Sequence, residues 1–154
     1  MATKTLLIVA HAPSPNTKKL AQAAYNGANH PDLDINVILK SPQDTQPEDV
    51  LAADALLLGT TENLPYMAGL TKDFFDRCYY PVLEKKQGMP FALYIRAGHD
   101  GTGTKLAIKL LPTGLRWEWI QGALILQGDW QKVFTEQVEE LAMTLAAGLE
   151  AGIY

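Results

Sequence analysis

Apolar positions along the chain alternate between two spacings. Leu6-Leu7-Ile8-Val9-Ala10 is a short unbroken apolar run, the signature of a strand covered on both faces. Leu20, Ala21, Ala24, Tyr25 and Ala28 follow at helical spacing. The cycle then repeats. Ile35-Asn36-Val37-Ile38-Leu39 predicts a second strand, Pro42 to Pro47 a loop, and Glu48–Ala53 a short helix. Asp54-Ala55-Leu56-Leu57-Leu58-Gly59 predicts a third strand. Leu70, Phe74 and Cys78 define one helix face, with Lys72–Asp76 and Asp73–Arg77 as i,i+4 pairs on the other. Phe91-Ala92-Leu93-Tyr94-Ile95 predicts a fourth strand, and Leu106 to Leu111 a helix whose end is blurred by Pro112 and Gly114. Ile120 with Ala123–Leu126 predicts a fifth strand. Phe134, Val138, Leu141, Leu145 and Leu149 predict a last amphipathic helix.

Strands that alternate with helices make a doubly wound α/β sandwich with a parallel sheet. In open sheets of this kind, ligands sit beyond the carboxyl ends of the strands, where the strand order reverses. The loops after the first, third and fourth strands therefore carry the candidate chemistry.

Length fits one domain, residues 1–154. At 47% hydrophobic and 19% charged, the chain can bury a core without staples. Its single cysteine, Cys78, excludes an internal disulfide and a cysteine-cluster metal site, and fits a reducing compartment. No apolar stretch approaches the roughly 18 residues of a membrane span. Met1-Ala2-Thr3-Lys4 leads into an apolar run too short for a secretory signal. These features predict a cytoplasmic protein with no membrane partner. A net charge of −4 lacks the basic footprint of nonspecific nucleic-acid binding.

The first loop reads His11-Ala12-Pro13-Ser14-Pro15-Asn16-Thr17-Lys18. Ser14 is a good N-cap and Pro15 a good first helical residue, so free N–H groups and the positive end of the helix dipole meet the loop. Ser14, Asn16 and Thr17 add side-chain donors for an anion, although capping alone also accounts for Ser14 and Pro15. Neither a Walker motif nor G-x-G-x-x-G is present, which disfavours a nucleoside triphosphatase and a dinucleotide-binding Rossmann domain. A phospho-receiver needs acidic residues where His11 and Gly59-Thr60 stand.

The second loop, Gly59 to Gly69, is polar at first and then offers Leu64, Tyr66 and Met67, side chains that suit either a flat conjugated ring or ordinary packing. In the third loop, Arg96-Ala97-Gly98-His99-Asp100-Gly101-Thr102-Gly103, the glycines let backbone approach a ligand closely. Arg96 is placed to meet a ligand's electron-rich edge. His99 and Asp100 are adjacent and read better as a glycine-rich turn than as an acid–base pair. Cys78 reads as a buried, inert thiol. Trp117 and Trp119 read as core or as a subunit contact, and Tyr79-Tyr80-Pro81 as an aromatic helix ending suited to an interface. No catalytic side chain and no metal ligand set stands out.

Taken together, these loops resemble the flavodoxin-like family, specifically its small NAD(P)H-dependent FMN reductases and flavodoxin-family oxidoreductases. The resemblance spans nearly the whole chain. Its most specific stretch runs from Leu57 to Arg77, with Gly59-Thr60-Thr61-Glu62-Asn63, Met67-Ala68-Gly69 and Lys72-Asp73-Phe74-Phe75-Asp76-Arg77. Ala97 to Gly103 looks like the family's third flavin loop. Flavodoxins are among the proteins on which the strand-end rule rests, so rule and resemblance are one argument for the site.

The resemblance implies a three-layer sandwich with a five-stranded parallel sheet in the order 2-1-3-4-5. It implies FMN as cofactor. Ser14, Asn16 and Thr17 would hold the phosphate, with His11 beside it. Thr61, Glu62, Asn63, Tyr66 and Met67 would line the isoalloxazine, and Gly98, His99, Asp100 and Gly101 would close over its pyrimidine side. The activity implied is transfer of electrons from NAD(P)H through flavin to a small acceptor such as a quinone, in a homo-oligomer. Chemistry of this kind belongs to the cofactor and needs no side-chain nucleophile. The chain departs from the pattern at Ala12, Pro15, Thr61 and Pro65, and Pro15 lacks the N–H that a glycine would offer a phosphate. Two other readings follow: a flavodoxin-type electron carrier, and a binding module that keeps the fold without FMN.

Overall fold

The computed structural model describes residues 2–154. The strands are β1 (Lys4–Ala10), β2 (Ile35–Lys40), β3 (Ala55–Asn63), β4 (Tyr66–Met67), β5 (Pro90–Ala97), β6 (Glu118–Trp119) and β7 (Leu124–Gln127). The helices are α1 (Pro15–Ala28), α2 (Pro47–Leu51), α3 (Gly69–Val82), α4 (Thr102–Gly114) and α5 (Val133–Ala151), with a 3-10 turn at Pro42–Asp44. The order across the sheet is β2-β1-β3-β5-β6, and β7 pairs with β5 beyond β6. All pairings in this path are parallel. The 2-1-3-4-5 arrangement therefore holds, with β6 and β7 sharing the fifth place.

Side chains of a strand alternate between faces, which explains why the apolar runs are continuous. Leu6, Ile8, Ala10, Leu57, Ala92 and Tyr94 face α1 and α5, where Leu20, Ala24, Val138 and Leu145 meet them. Leu7, Val9, Leu56, Leu58, Leu93 and Ile95 face the opposite layer, with Phe74, Phe75, Val82 and Ile108. Every residue from Leu56 to Leu58 is fully buried, so neither face of β3 tolerates a polar substitution.

Four local features differ from the sequence expectation. First, β3 continues to Asn63 and folds back on β4 in an antiparallel hairpin, Glu62 opposite Met67 and Asn63 opposite Tyr66. β-Branched Thr60 and Thr61 favour this extension, and Leu64 takes φ 51° at the tip. Second, the fifth strand is broken between Trp119 and Leu124, around Gly122. Third, α4 begins at Thr102 and continues through Pro112, whose missing N–H falls in the last turn. Fourth, Leu70 is 41% exposed because it falls off the packed face of α3; the buried stripe is Thr71, Phe74, Phe75, Cys78 and Val82.

The aromatic and cysteine side chains serve packing. Trp117 is buried and Trp119 half-buried, on either side of Phe91, with ring centroids 5.5 and 4.8 Å from it. Burial pushes the Cys78 thiol up to about 11, so the thiolate needed for reaction is scarce. Among the described residues no helix is long and apolar enough to cross a membrane.

Candidate functional site

The carboxyl ends of β1, β3 and β5 lie side by side. Ala10 is in register with Gly59, and Gly59 with Tyr94. The first loop leaves β1 along β3, where the His11 N–H donates to the Gly59 carbonyl at 2.9 Å. The strand order reverses between β1 and β3, which puts this loop at the switch point. Gly59 is required there by a neighbour: a Cβ at this position would stand 2.1 Å from the Tyr94 ring. The Tyr94 phenol is buried, and burial holds its pKa well above the usual tyrosine range. Strand periodicity marks Tyr94 only as a core position; its contact with Gly59 depends on register.

At the start of α1, Ser14 and Thr17 form a reciprocal cap. The Ser14 N–H donates to Thr17 Oγ1 at 2.9 Å, and the Thr17 N–H donates to Ser14 Oγ at 3.2 Å. The two hydroxyls are 2.8 Å apart, and Thr17 Oγ1 also donates to the Ser14 carbonyl at 3.0 Å. With the Thr17 proton on that carbonyl, the Ser14 hydroxyl is the donor of the 2.8 Å bond to Thr17 Oγ1, so the cap occupies both hydroxyl protons. Asn16, half-buried at the second helical position, has a backbone N–H without an intrahelical acceptor. His11 is half-buried, and desolvation lowers its pKa from the usual imidazole value, which favours the neutral ring. A groove of about 320 Å³ runs beside this loop toward the end of β2, lined in part by Ala12, Lys18, Lys40 and Ser41.

The second and third loops are joined by Glu62. Its carboxylate accepts from the Gly101 N–H at 3.3 Å, the Thr104 N–H at 3.5 Å and Thr104 Oγ1 at 3.2 Å. A carboxylate at this place complements the positive end of the α4 dipole. The contact extends to backbone: a Cβ on Gly103 would lie 2.1 Å from the Pro65 carbonyl oxygen. Beneath the hairpin, Thr60 and Thr71 share a buried hydroxyl–hydroxyl bond of 2.7 Å that ties the end of β3 to the start of α3. Thr61 Oγ1 donates to Asn63 Oδ1 at 2.9 Å on the outer side.

The remaining candidates divide. Tyr66, His99 and Asp100 are exposed, and Asp100 accepts from the Thr102 N–H at 3.1 Å in a local turn. Gly98 faces open space, while Gly101 is buried. Met67 is only 2% exposed and packs in the core below the hairpin. Arg96 is engaged elsewhere than at a ligand's edge. Its Nη1 donates to the carbonyls of Ala97 at 2.8 Å and Leu126 at 3.0 Å, and its guanidinium lies 5.1 Å from the Phe134 ring centroid. Thr71 and Thr104 are partners that sequence reasoning missed, because isolated helix threonines carry no signal of what they touch.

This sheet order, with helices on both faces and loops at the β1/β3 switch, is the flavodoxin-like fold. An archaeal flavodoxin superposes with a TM-score of 0.80 at 18% identity, covering 94% of this chain and 98% of that one. A WrbA-like flavodoxin from Agrobacterium tumefaciens gives 0.73 at 16% identity, with 97% and 99% covered. Rubredoxin oxygen:oxidoreductase from Desulfovibrio gigas gives 0.78 at 15% identity over 98% of this chain but only 37% of that one. No protein-family model matches the sequence, and no curated protein sequence does.

Proposed function

We propose that this chain binds FMN and acts as an oxidoreductase, taking electrons from NAD(P)H and passing them to a small acceptor such as a quinone. The observation that carries the reading is the donor set at the switch point. The Asn16 amide, the free Asn16 N–H and the neutral His11 ring stand at a helix N-terminus with no carboxylate among them, and the Ser14 hydroxyl would join them by turning from its bond to Thr17. That chemistry fits a phosphate monoester. Pro15 removes one donor, so the side chains of Ser14, Asn16 and Thr17 would bear more of the binding.

The rim fits a flat ring. Thr61, Glu62, Asn63 and Tyr66 would line one side of it, and Gly98, His99, Asp100 and Gly101 the other. Met67 would support the hairpin from below. FMN, when bound, supplies hydride acceptance and onward electron transfer. The chain's own part is orientation and electrostatics. Glu62, held on α4, keeps the two ring-side loops at a fixed separation, and the backbone donors of the third loop are available to a reduced, electron-rich ring edge. A second copy of the chain would cover the open side of that rim.

The test is a visible absorbance spectrum after FMN addition and desalting, followed by NAD(P)H oxidation with a quinone. A retained, perturbed flavin band with quinone-dependent turnover is expected. A flavin band without turnover would favour an electron carrier. A folded protein that retains no flavin would refute the reading and leave a binding module.

A further inference from the structure

On the flank of α4, away from the first loop, a groove of about 470 Å³ separates that helix from the broken fifth strand. One wall is Lys105, Lys109 and Thr113, and the other is Trp119, Gln121 and Gly122. The spacing i, i+4, i+8 puts the first three on a single stripe of α4, while Thr104, Ile108 and Pro112 form the buried stripe. We infer that this groove is a binding site for an anionic aromatic molecule of mononucleotide size.

Three independent features support it. The first is charge. From Thr102 to Trp117 the chain has Lys105, Lys109 and Arg116 and no Asp or Glu, in a protein whose net charge is −4. Among the described residues neither groove lysine is ion-paired, and two ammonium groups four residues apart on a helix repel each other. An anion between them relieves that repulsion.

The second is the aromatic wall. Trp119 is half-buried and is held edge-on against Phe91 at 4.8 Å, with an interplanar angle of 85°. It offers a preset surface on which a flat ring stacks with little loss of side-chain freedom.

The third is the strand break. Gln121, Gly122 and Ala123 belong to no strand, and their amides donate no hydrogen bond to other backbone. Break and groove coincide, so the residues that carry these free amides line the same groove as the lysines. Cations, N–H donors and an indole, with no carboxylate on either wall, select an anion and reject a cation. The volume falls within the range of small-molecule sites, roughly 300–1,000 Å³. Two charges and one ring gathered in a cavity favour a small ligand over an acidic protein segment, which would spread its contacts along α4.

The probe is adenosine 5′-monophosphate, titrated into ¹⁵N-labelled protein and followed by two-dimensional NMR. Saturable shifts are expected at the Trp119 indole N–H and the amides of Gln121–Ala123. The double variant Lys105→Gln/Lys109→Gln should weaken binding roughly tenfold, the effect of losing two exposed ionic contacts. Both lysines are exposed and their ammonium groups make no hydrogen bond or ion pair among the described residues, so the variant should keep the parent melting temperature. Neutral adenosine should bind more weakly than the monophosphate. Shifts confined to His11–Lys18, an unchanged affinity in the double variant, equal binding of adenosine, or no saturable shift would each overturn the inference. The groove and the flavin reading stand or fall separately, since shifts at His11–Lys18 report the first loop and shifts at Trp119 report the groove.

Discussion

Replacing Glu62 by alanine tests the connection on which the site geometry rests. The carboxylate accepts three hydrogen bonds, from Gly101, Thr104 and the Thr104 hydroxyl, at 3.2 to 3.5 Å. Those distances are long, so the loss of the cap belongs in the lower half of the usual range, about 0.5–1 kcal/mol. Loss of the charge from the end of the α4 dipole adds about 0.3–1 kcal/mol. Together these give about 0.8–2 kcal/mol, and because the Thr104 side chain is buried and its hydroxyl would lose the Glu62 acceptor, the expected total lies in the upper part of that range, about 1.5–2 kcal/mol. For a chain of this length that corresponds to a fall in melting temperature of about 3–7 °C. Glu62→Gln keeps one acceptor oxygen, enough for the Thr104 N–H and hydroxyl, but loses the charge and the acceptor for the Gly101 N–H, so about half the effect should remain. Urea unfolding gives the free energies, and amide exchange at Gly101 and Thr104 gives the local effect, which should be faster exchange at both. A Glu62→Ala protein within about 0.3 kcal/mol of the parent, with exchange at those amides unchanged, would show that the hairpin–α4 joint does not depend on this carboxylate.

Gly59→Ala should destabilise by about 1–3 kcal/mol through overpacking on Tyr94, and Tyr94→Leu in the same chain should recover part of the loss in a double-mutant cycle. Arg77→Met should cost about 1–2 kcal/mol, because its guanidinium donates to the carbonyls of Thr45 at 2.7 Å and Pro42 at 2.8 Å; faster proteolysis near residues 42–45 would report the released turn. Burial lowers the His11 pKa, so in the unfolded chain this residue binds a proton more readily than in the folded one. Its contribution to stability is present above roughly pH 6.5 and is lost as pH falls through the lower folded value. Urea midpoints at pH 7.5 and pH 5 should therefore differ less in His11→Gln than in the parent; equal differences would contradict the assignment.

Much of the architecture was legible because burial on both faces leaves a pattern that local reading detects. Leu6–Ala10 and Ala55–Leu58 have no polar position on either side, and that alone distinguishes a central parallel strand from a one-sided one. Ser14 and Pro15 announced the start of α1, which the reciprocal cap with Thr17 confirms. Segments where two signals compete were harder. Thr60–Asn63 is polar and looks like a loop, yet it continues β3, since backbone pairing to β4 and β5 satisfies its amides whatever its side chains are.

Composition and period determined which segments are strands and helices and that they form layers, because these follow from which residues must leave water; the order of the strands across the sheet was implied by the family resemblance. Only the tertiary structure decided what each polar side chain does. Glu62 could have faced solvent, and it caps a helix 39 residues away in the chain. Arg96 could have faced the loops, and it lies against Phe134 and Trp130. Lys105 and Trp119 share no local motif, yet the break in the fifth strand sets them on opposite walls of one groove. Hydrophobic burial is non-directional and can be read from spacing, whereas hydrogen bonds, ion pairs and ring contacts depend on distances that exist only once the chain has folded.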